Sequence, residues 1–274
     1  MNTTENNKQP AAATPPHLAA LCDLEVLAEQ AVTVIHRHLQ SGMTERDAAN
    51  LVRDWLKQHG VEEMAHRPLA WFGDRTALRG ADRLVPVGTR PAWFPGERVL
   101  SPGMAVALYC APQRDGLIAE ATMCGPLGQN SAYTALCDDV QRLKEQLAAA
   151  LANGLPLSAV EEWLVFSTQA MALEPRHYSA PFTGALRRYS GAVTTHRQRS
   201  LMFRRLKVNE LQLPSAASGR SHVPDDSEAG LWVIQPWLVR DGLGAGFRAL
   251  VYNDGEHRHW LNPPVSAGAH EVQA

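Results

Sequence analysis

A phenol and a carboxylate stand eleven residues apart, as Tyr109 and Glu120, in the stretch "GMAVALYCAPQRDGLIAEATMCGPLG". Two apolar segments flank Arg114-Asp115-Gly116 there, which is the pattern of two strands joined by a tight turn. Such a hairpin carries both residues on its inner face, where a tyrosine and a glutamate could pass protons to and from a bound molecule as general acid and base. A buried carboxylate is costly unless a cation or several donors satisfy it. Glu120 therefore calls for a partner.

The elements that must hold this pair can be read along the chain. Apolar residues recur at helical spacing from Leu18 to Leu39, and Gly42 ends that pattern. A second helix opens at Thr44, whose hydroxyl can cap the first turn with Asp47 three residues on, and runs to a stop at Gly60. Residues 67–100 are rich in Gly, Pro and Trp and read as loops with edge strands. Two helices, from Asn130 to Ala152 and from Leu157 to Leu173, follow the hairpin. Residues 174–228 lack periodicity and read as irregular, with a strand near Leu206 to Leu213. A last hairpin pairs "LWVIQPWLV" with "FRALVYN" through "RDGLGAG". The order is helix pair, hairpin, helix pair, irregular region, hairpin, or two similar α/β halves.

The 274 residues are 45% hydrophobic with a formal net charge of −2, enough for a sizeable core and no electrostatic reason for a nucleic-acid or anionic-membrane partner. No window approaches the roughly 20 apolar residues that span a bilayer. Cys22, Cys110, Cys124 and Cys137 lie in apolar surroundings without CxxC spacing, which reads as buried thiols of a reducing, cytoplasmic protein. Residues 1–16 read as a disordered tail without a signal-peptide pattern, 17–265 as one folded domain and 266–274 as a flexible C-terminus.

Several of these pieces resemble the creatinase, aminopeptidase P and methionine aminopeptidase superfamily: "GMTERDAANLVRDWLKQHG", "SPGMAVALY", "RDGLIAEATMCGPLG", "LPLSAVEEWL", "EAGLWVIQPWLV" and "FRALVYNDGEHRHWL". The resemblance implies an α/β (α+β) fold, a single pita-bread domain whose two αββ-like halves form a curved sheet backed by helices. It also implies a site for two divalent metals held by two Asp, one His and two Glu, since such ions need anionic oxygens and an imidazole. Carried over residue by residue, the Asp positions fall on Tyr109 and Glu120, the His on Arg205, a later substrate-facing His on Gln212, and the Glu positions on Gln235 and Gly246. An outer His falls on Gly80, beside Arg79. One carboxylate remains and a guanidinium stands in place of the imidazole, so the expectation is no metal and no cofactor, with Glu120 paired to Arg205.

What the resemblance then implies is metal-independent chemistry, as in creatinase, on a small amino-acid-derived or peptide-like substrate of a specialised biosynthetic pathway. Glu120 and Tyr109 are the catalytic candidates, and Arg205, Gln235, Gln212, Trp71 and Phe72 the substrate-binding ones. His177, His196 and His222 are further proton carriers to weigh, each also readable as a loop histidine. A homodimer is the assembly implied. The other reading is a non-catalytic pseudo-peptidase that binds a peptide or protein.

Overall fold

The computed structural model describes residues 16–78, 93–176, 186–189 and 229–261. Helix α1 (Pro16–His38) opens on a proline, which is favoured in a first turn because no intrahelical partner awaits its missing N–H. Its Leu24, Ala28, Ala31, Val32 and Ile35 are buried at three- and four-residue steps. Helix α2 (Glu45–Gln58) has the expected reciprocal cap: Asp47 N–H donates to Thr44 Oγ1 at 3.1 Å and Thr44 N–H to Asp47 Oδ2 at 2.9 Å. Helix α3 (Ser131–Ala152) is capped by Asn130, and α4 (Val160–Ala170) follows a 3-10 turn at Leu157–Ala159.

The strands are short because two long hairpins are each broken once. In the first, β3 (Ala105–Cys110) and β4 (Pro112–Arg114) lie opposite β6 (Ala121–Pro126) and β5 (Leu117–Ile118). The register is the same on both sides of the break, so Ala111 stands opposite Glu120. In the second, β9 (Gly230–Ile234) and β10 (Trp237–Arg240) lie opposite β12 (Ala249–Asn253) and β11 (Leu243–Gly246), again in one register, which sets Gln235 opposite Arg248. Both hairpins turn on the same tetrapeptide, Arg-Asp-Gly-Leu. Asp115 and Gly116 have φ of 50° and 79°, Asp241 and Gly242 have 51° and 77°, the paired positive values of a two-residue turn that matches strand twist.

Outer strands complete four small antiparallel sheets. β1 (Glu63–Met64) joins β4, and β2 (Leu69–Phe72) joins β3. In the second half β7 (Glu174–Arg176) joins β10, β8 (Leu186–Arg188) joins β9, and β13 (Arg258–Trp260) joins β12. Strands β7 and β8 fall where an irregular region is expected; three residues are too few for period-two alternation to register in the sequence. The strand expected near Leu206 to Leu213 and most of the two expected tails lie outside the described residues.

Strand β3 is buried on both faces, which explains its unbroken apolar run. Val106, Leu108 and Cys110 face α1 and α2, while Ala107 and Tyr109 join Leu69, Trp71, Trp237 and Val239 on the inner side. Helices α3 and α4 cover the second half through Leu136, Leu143, Leu147 and Val160. The halves are stitched by hydroxyls: buried Tyr133 Oη lies 3.1 Å from the Val106 carbonyl and 3.0 Å from that of Gly244, and Tyr189 Oη accepts from Ile118 N–H at 2.8 Å. Tyr133→Phe strips that hydroxyl from both carbonyls and should cost about 1–3 kcal/mol, read as a lowered urea midpoint with an unchanged slope.

Candidate functional site

The two hairpin breaks meet. Glu120, at the first, forms an ion pair with Arg248, at the second, with Nε and Oε2 3.0 Å apart. The guanidinium also reaches helix α1, where Nη1 lies 2.5 Å from both carboxylate oxygens of Glu25, and Nη1 touches the Glu120 carbonyl at 3.3 Å. The Arg248 and Glu25 side chains are each 2% exposed, and that of Glu120 13%. Two carboxylates thus share one guanidinium in a dry setting. Burial pushes the Glu25 carboxyl up to about 7; Arg248 pulls it down and the Glu120 charge pushes it further up. Burial works against the charge on Arg248, but the two carboxylates more than offset it and hold it cationic.

Tyr109 lies fully buried on the inner face, and the His66 ring stacks on it with centroids 5.2 Å apart and planes 11° from parallel. His66 sits between β1 and β2, where the strand bulges. Its Nδ1 is 2.8 Å from the Arg67 carbonyl, which can only accept, so Nδ1 carries the proton and Nε2 the lone pair. Burial lowers the His66 pKa, against the opposing pull of the Arg67 carbonyl and of Glu120. Among the described residues, Nε2 is sealed from solvent without a hydrogen-bond partner, and so are both polar atoms of the Gln235 carboxamide. Such orphans are rare and mark places where a ligand or water is wanted.

Trp71 and Phe72 point to opposite faces, as neighbours on a strand must. Trp71 packs inward, edge-on to Trp237 at 5.6 Å, and donates to the Trp93 carbonyl at 2.6 Å. Phe72 instead lies in the α1 and α2 core, so it is walled off from the inner face. Arg205, Gln212, Gly80, Arg79, His177, His196 and His222 lie outside the described residues. Among the described residues the cation that meets Glu120 is Arg248; the expected pairing with Arg205 lies outside them. His66, Arg248 and Glu25 are absent from the sequence reading: none stands at a family ligand position, and only the register across the hairpin breaks brings them together.

These residues do not fit a pair of divalent cations. Tyr109 is a buried phenol, Glu120 is bound to a guanidinium and Gln235 is neutral. At Gly246 a Cβ would come within 2.6 Å of the Pro236 carbonyl oxygen and 2.6 Å of Trp237 Cε3, and at Gly244 within 2.7 Å of Trp237 Nε1. The Trp237 indole, held by its N–H to the Thr76 carbonyl at 2.9 Å, lies across both glycines and takes up the room a carboxylate side chain would need. Among the described residues no three His, Cys, Asp or Glu side chains form a group that could hold a metal.

Because burial makes Glu25 bind its proton more tightly when folded, the folded chain holds the extra proton between the ordinary carboxylate range and about pH 7, and stability falls as pH rises through that window. Glu25→Gln should flatten this fall, measured as thermal midpoints from about pH 5 to about pH 8.

The family model of metallopeptidase family M24 matches residues 24–185. No curated protein sequence matches the chain. Among solved structures, it is similar to X-Pro aminopeptidase from Thermotoga maritima MSB8, at 16% identity and a TM-score of 0.61, over 90% of this chain and 62% of that one. The Xaa-Pro dipeptidase from Bacillus anthracis gives 16% and 0.61 over 90% and 61%, and the prolidase from Pyrococcus furiosus 16% and 0.60 over 90% and 64%. The chain thus spans about three fifths of the length of these structures, and the likeness extends the fold beyond residue 185 into the second hairpin. With the family model covering more than half of its residues and these structures sharing its fold, the chain belongs to metallopeptidase family M24, with the pita-bread fold.

Proposed function

We propose that this M24 member works without metal, binding a small amino-acid-derived or peptide-like molecule on its inner face and converting it by acid–base chemistry, as a hydrolase or lyase of a specialised biosynthetic pathway. The observation that carries the reading is the Arg248 guanidinium, set between Glu120 and Gln235. Protein-borne positive charge stands between positions where the resemblance puts metal ligands, and a guanidinium cannot deprotonate or exchange. The Gln235 carboxamide offers a buried donor and acceptor for a substrate amide. His66 Nε2 is a neutral base, and Tyr109, stacked on it, is the acid beside it. Glu120, ion-paired with Arg248, fixes that guanidinium beside the site. Trp71 forms the wall behind Tyr109.

A second reading, a pseudo-peptidase that binds without turnover, is favoured by the same ion pair, since a carboxylate neutralised from within has little left to give a substrate. Two measurements separate the possibilities. Purified protein should hold substoichiometric Mn, Co, Fe and Zn, and its thermal midpoint should not move with EDTA or added Mn²⁺; a stoichiometric metal lost in Glu120→Gln overturns the metal-independent reading. Across a panel of dipeptides and amino-acid amides assayed in EDTA, Tyr109→Phe and His66→Asn should lower kcat by about 100-fold or more while a ligand's thermal shift persists. Binding with no turnover in the unaltered protein sinks catalysis and leaves the binding module.

A further inference from the structure

A cavity of about 310 Å³ opens where α1 and α3 pass over the seam between β6 and β11, and neither Tyr109 nor His66 lines it. Its floor is apolar, made by Met123, Val140 and Phe247 with the Cys124 and Cys137 thiols. Arg248 forms its inner end. That guanidinium gives Nη1 to Glu25 and forms an ion pair with Glu120 from its Nε side, while Nη2, like Nε, is buried without a hydrogen-bond partner among the described residues. A buried guanidinium N–H left unmade costs more than most orphans, because it belongs to a charged group.

Charge decides what can answer it. Around the cavity stand three carboxylates, Glu120, Glu29 and Asp138, against two cations, Arg248 and Lys144. Glu29 and Asp138 are exposed at the mouth. An anionic ligand would meet this excess negative charge on its way to Nη2, whereas an uncharged oxygen would not. The mouth favours a cation and the floor an apolar body of a few carbons.

We infer that this back cavity is a second ligand site, which takes a small apolar primary amine bearing a neutral oxygen acceptor. The ammonium sits among Glu29, Asp138 and Glu120, the hydrocarbon on Val140 and Phe247, and the carbonyl or hydroxyl oxygen accepts from Arg248 Nη2. Since Arg248 also holds Glu120 and stands opposite Gln235, occupancy of the cavity bears on the guanidinium that the inner site uses, but the site's existence does not depend on the function proposed for the inner face.

L-leucinamide and L-leucinol test the assignment, with 4-methylpentanoate, the same hydrocarbon carrying an acid and no amine, as the contrast. By calorimetry and thermal shift on the full chain, both amines should bind saturably and the acid should not. Val140→Trp, which fills the floor, should abolish binding. Should that variant fail to fold, the surface double variant Glu29→Lys, Asp138→Lys leaves the core intact and should weaken both amines roughly tenfold. Gln235→Leu, on the inner face, should leave both affinities unchanged. No heat from either amine, equal binding of the acid, or binding that survives filling the floor but is lost in Gln235→Leu overturns the inference; the last outcome would place the amines on the inner face instead.

Discussion

Arg248 carries an obligation that the rest of the molecule is arranged to meet. Its guanidinium is cut off from water and must be neutralised and hydrogen-bonded locally, or the fold would bear an uncompensated charge worth several kcal/mol. It draws one carboxylate from helix α1 and another from the break of the first hairpin, while it sits itself at the break of the second. Three elements far apart in sequence are thereby tied at one point. Breaking such a triad from the cation side would leave two buried carboxylates facing each other, the costliest outcome of any single truncation there.

The geometry that permits this is the repeated break. A hairpin paired without interruption would direct each side chain by strict alternation and have no reason to turn residues toward a neighbouring hairpin. Releasing one or two residues from the ladder, at Ala111 and Glu120 in one half and at Gln235 to Pro236 and Phe247 to Arg248 in the other, frees side chains and carbonyls to meet across the seam. Tyr133 and Tyr189 reinforce the same seam with hydroxyls. The family's fold is kept here, with Arg248 set at the break of the second hairpin.

Much of this was legible in the sequence. The helix pattern from Leu18, the Thr44 and Asp47 cap and the Asp-Gly turns are local signals, set by residues within a few positions of one another, and they appear in the structure as read. So does the family, whose motifs recur in order along the chain. The partner of Glu120 was not legible. Arg248 lies 128 positions further on, and nothing in "FRALVYN" marks its side chain as inward-facing until the register across the second break is known. His66 escaped for the same reason: it sits in a bulge, where period-two reasoning stops. Adjacency misled in the opposite direction at Trp71 and Phe72, because neighbours on a strand share a position in the chain but not a face.

Trp237 on its glycine ledge sets a limit on what position 246 can hold. A carboxylate there would have to displace an indole that is anchored through its N–H and packed against Trp71. The two positions are therefore interlocked: glutamate at 246 without a smaller residue at 237 collides, and a smaller residue at 237 without a larger one at 246 leaves a hole. Neither can be changed alone without loss, so the pair behaves as a single unit of the packing, like a bolt and the slot cut for it.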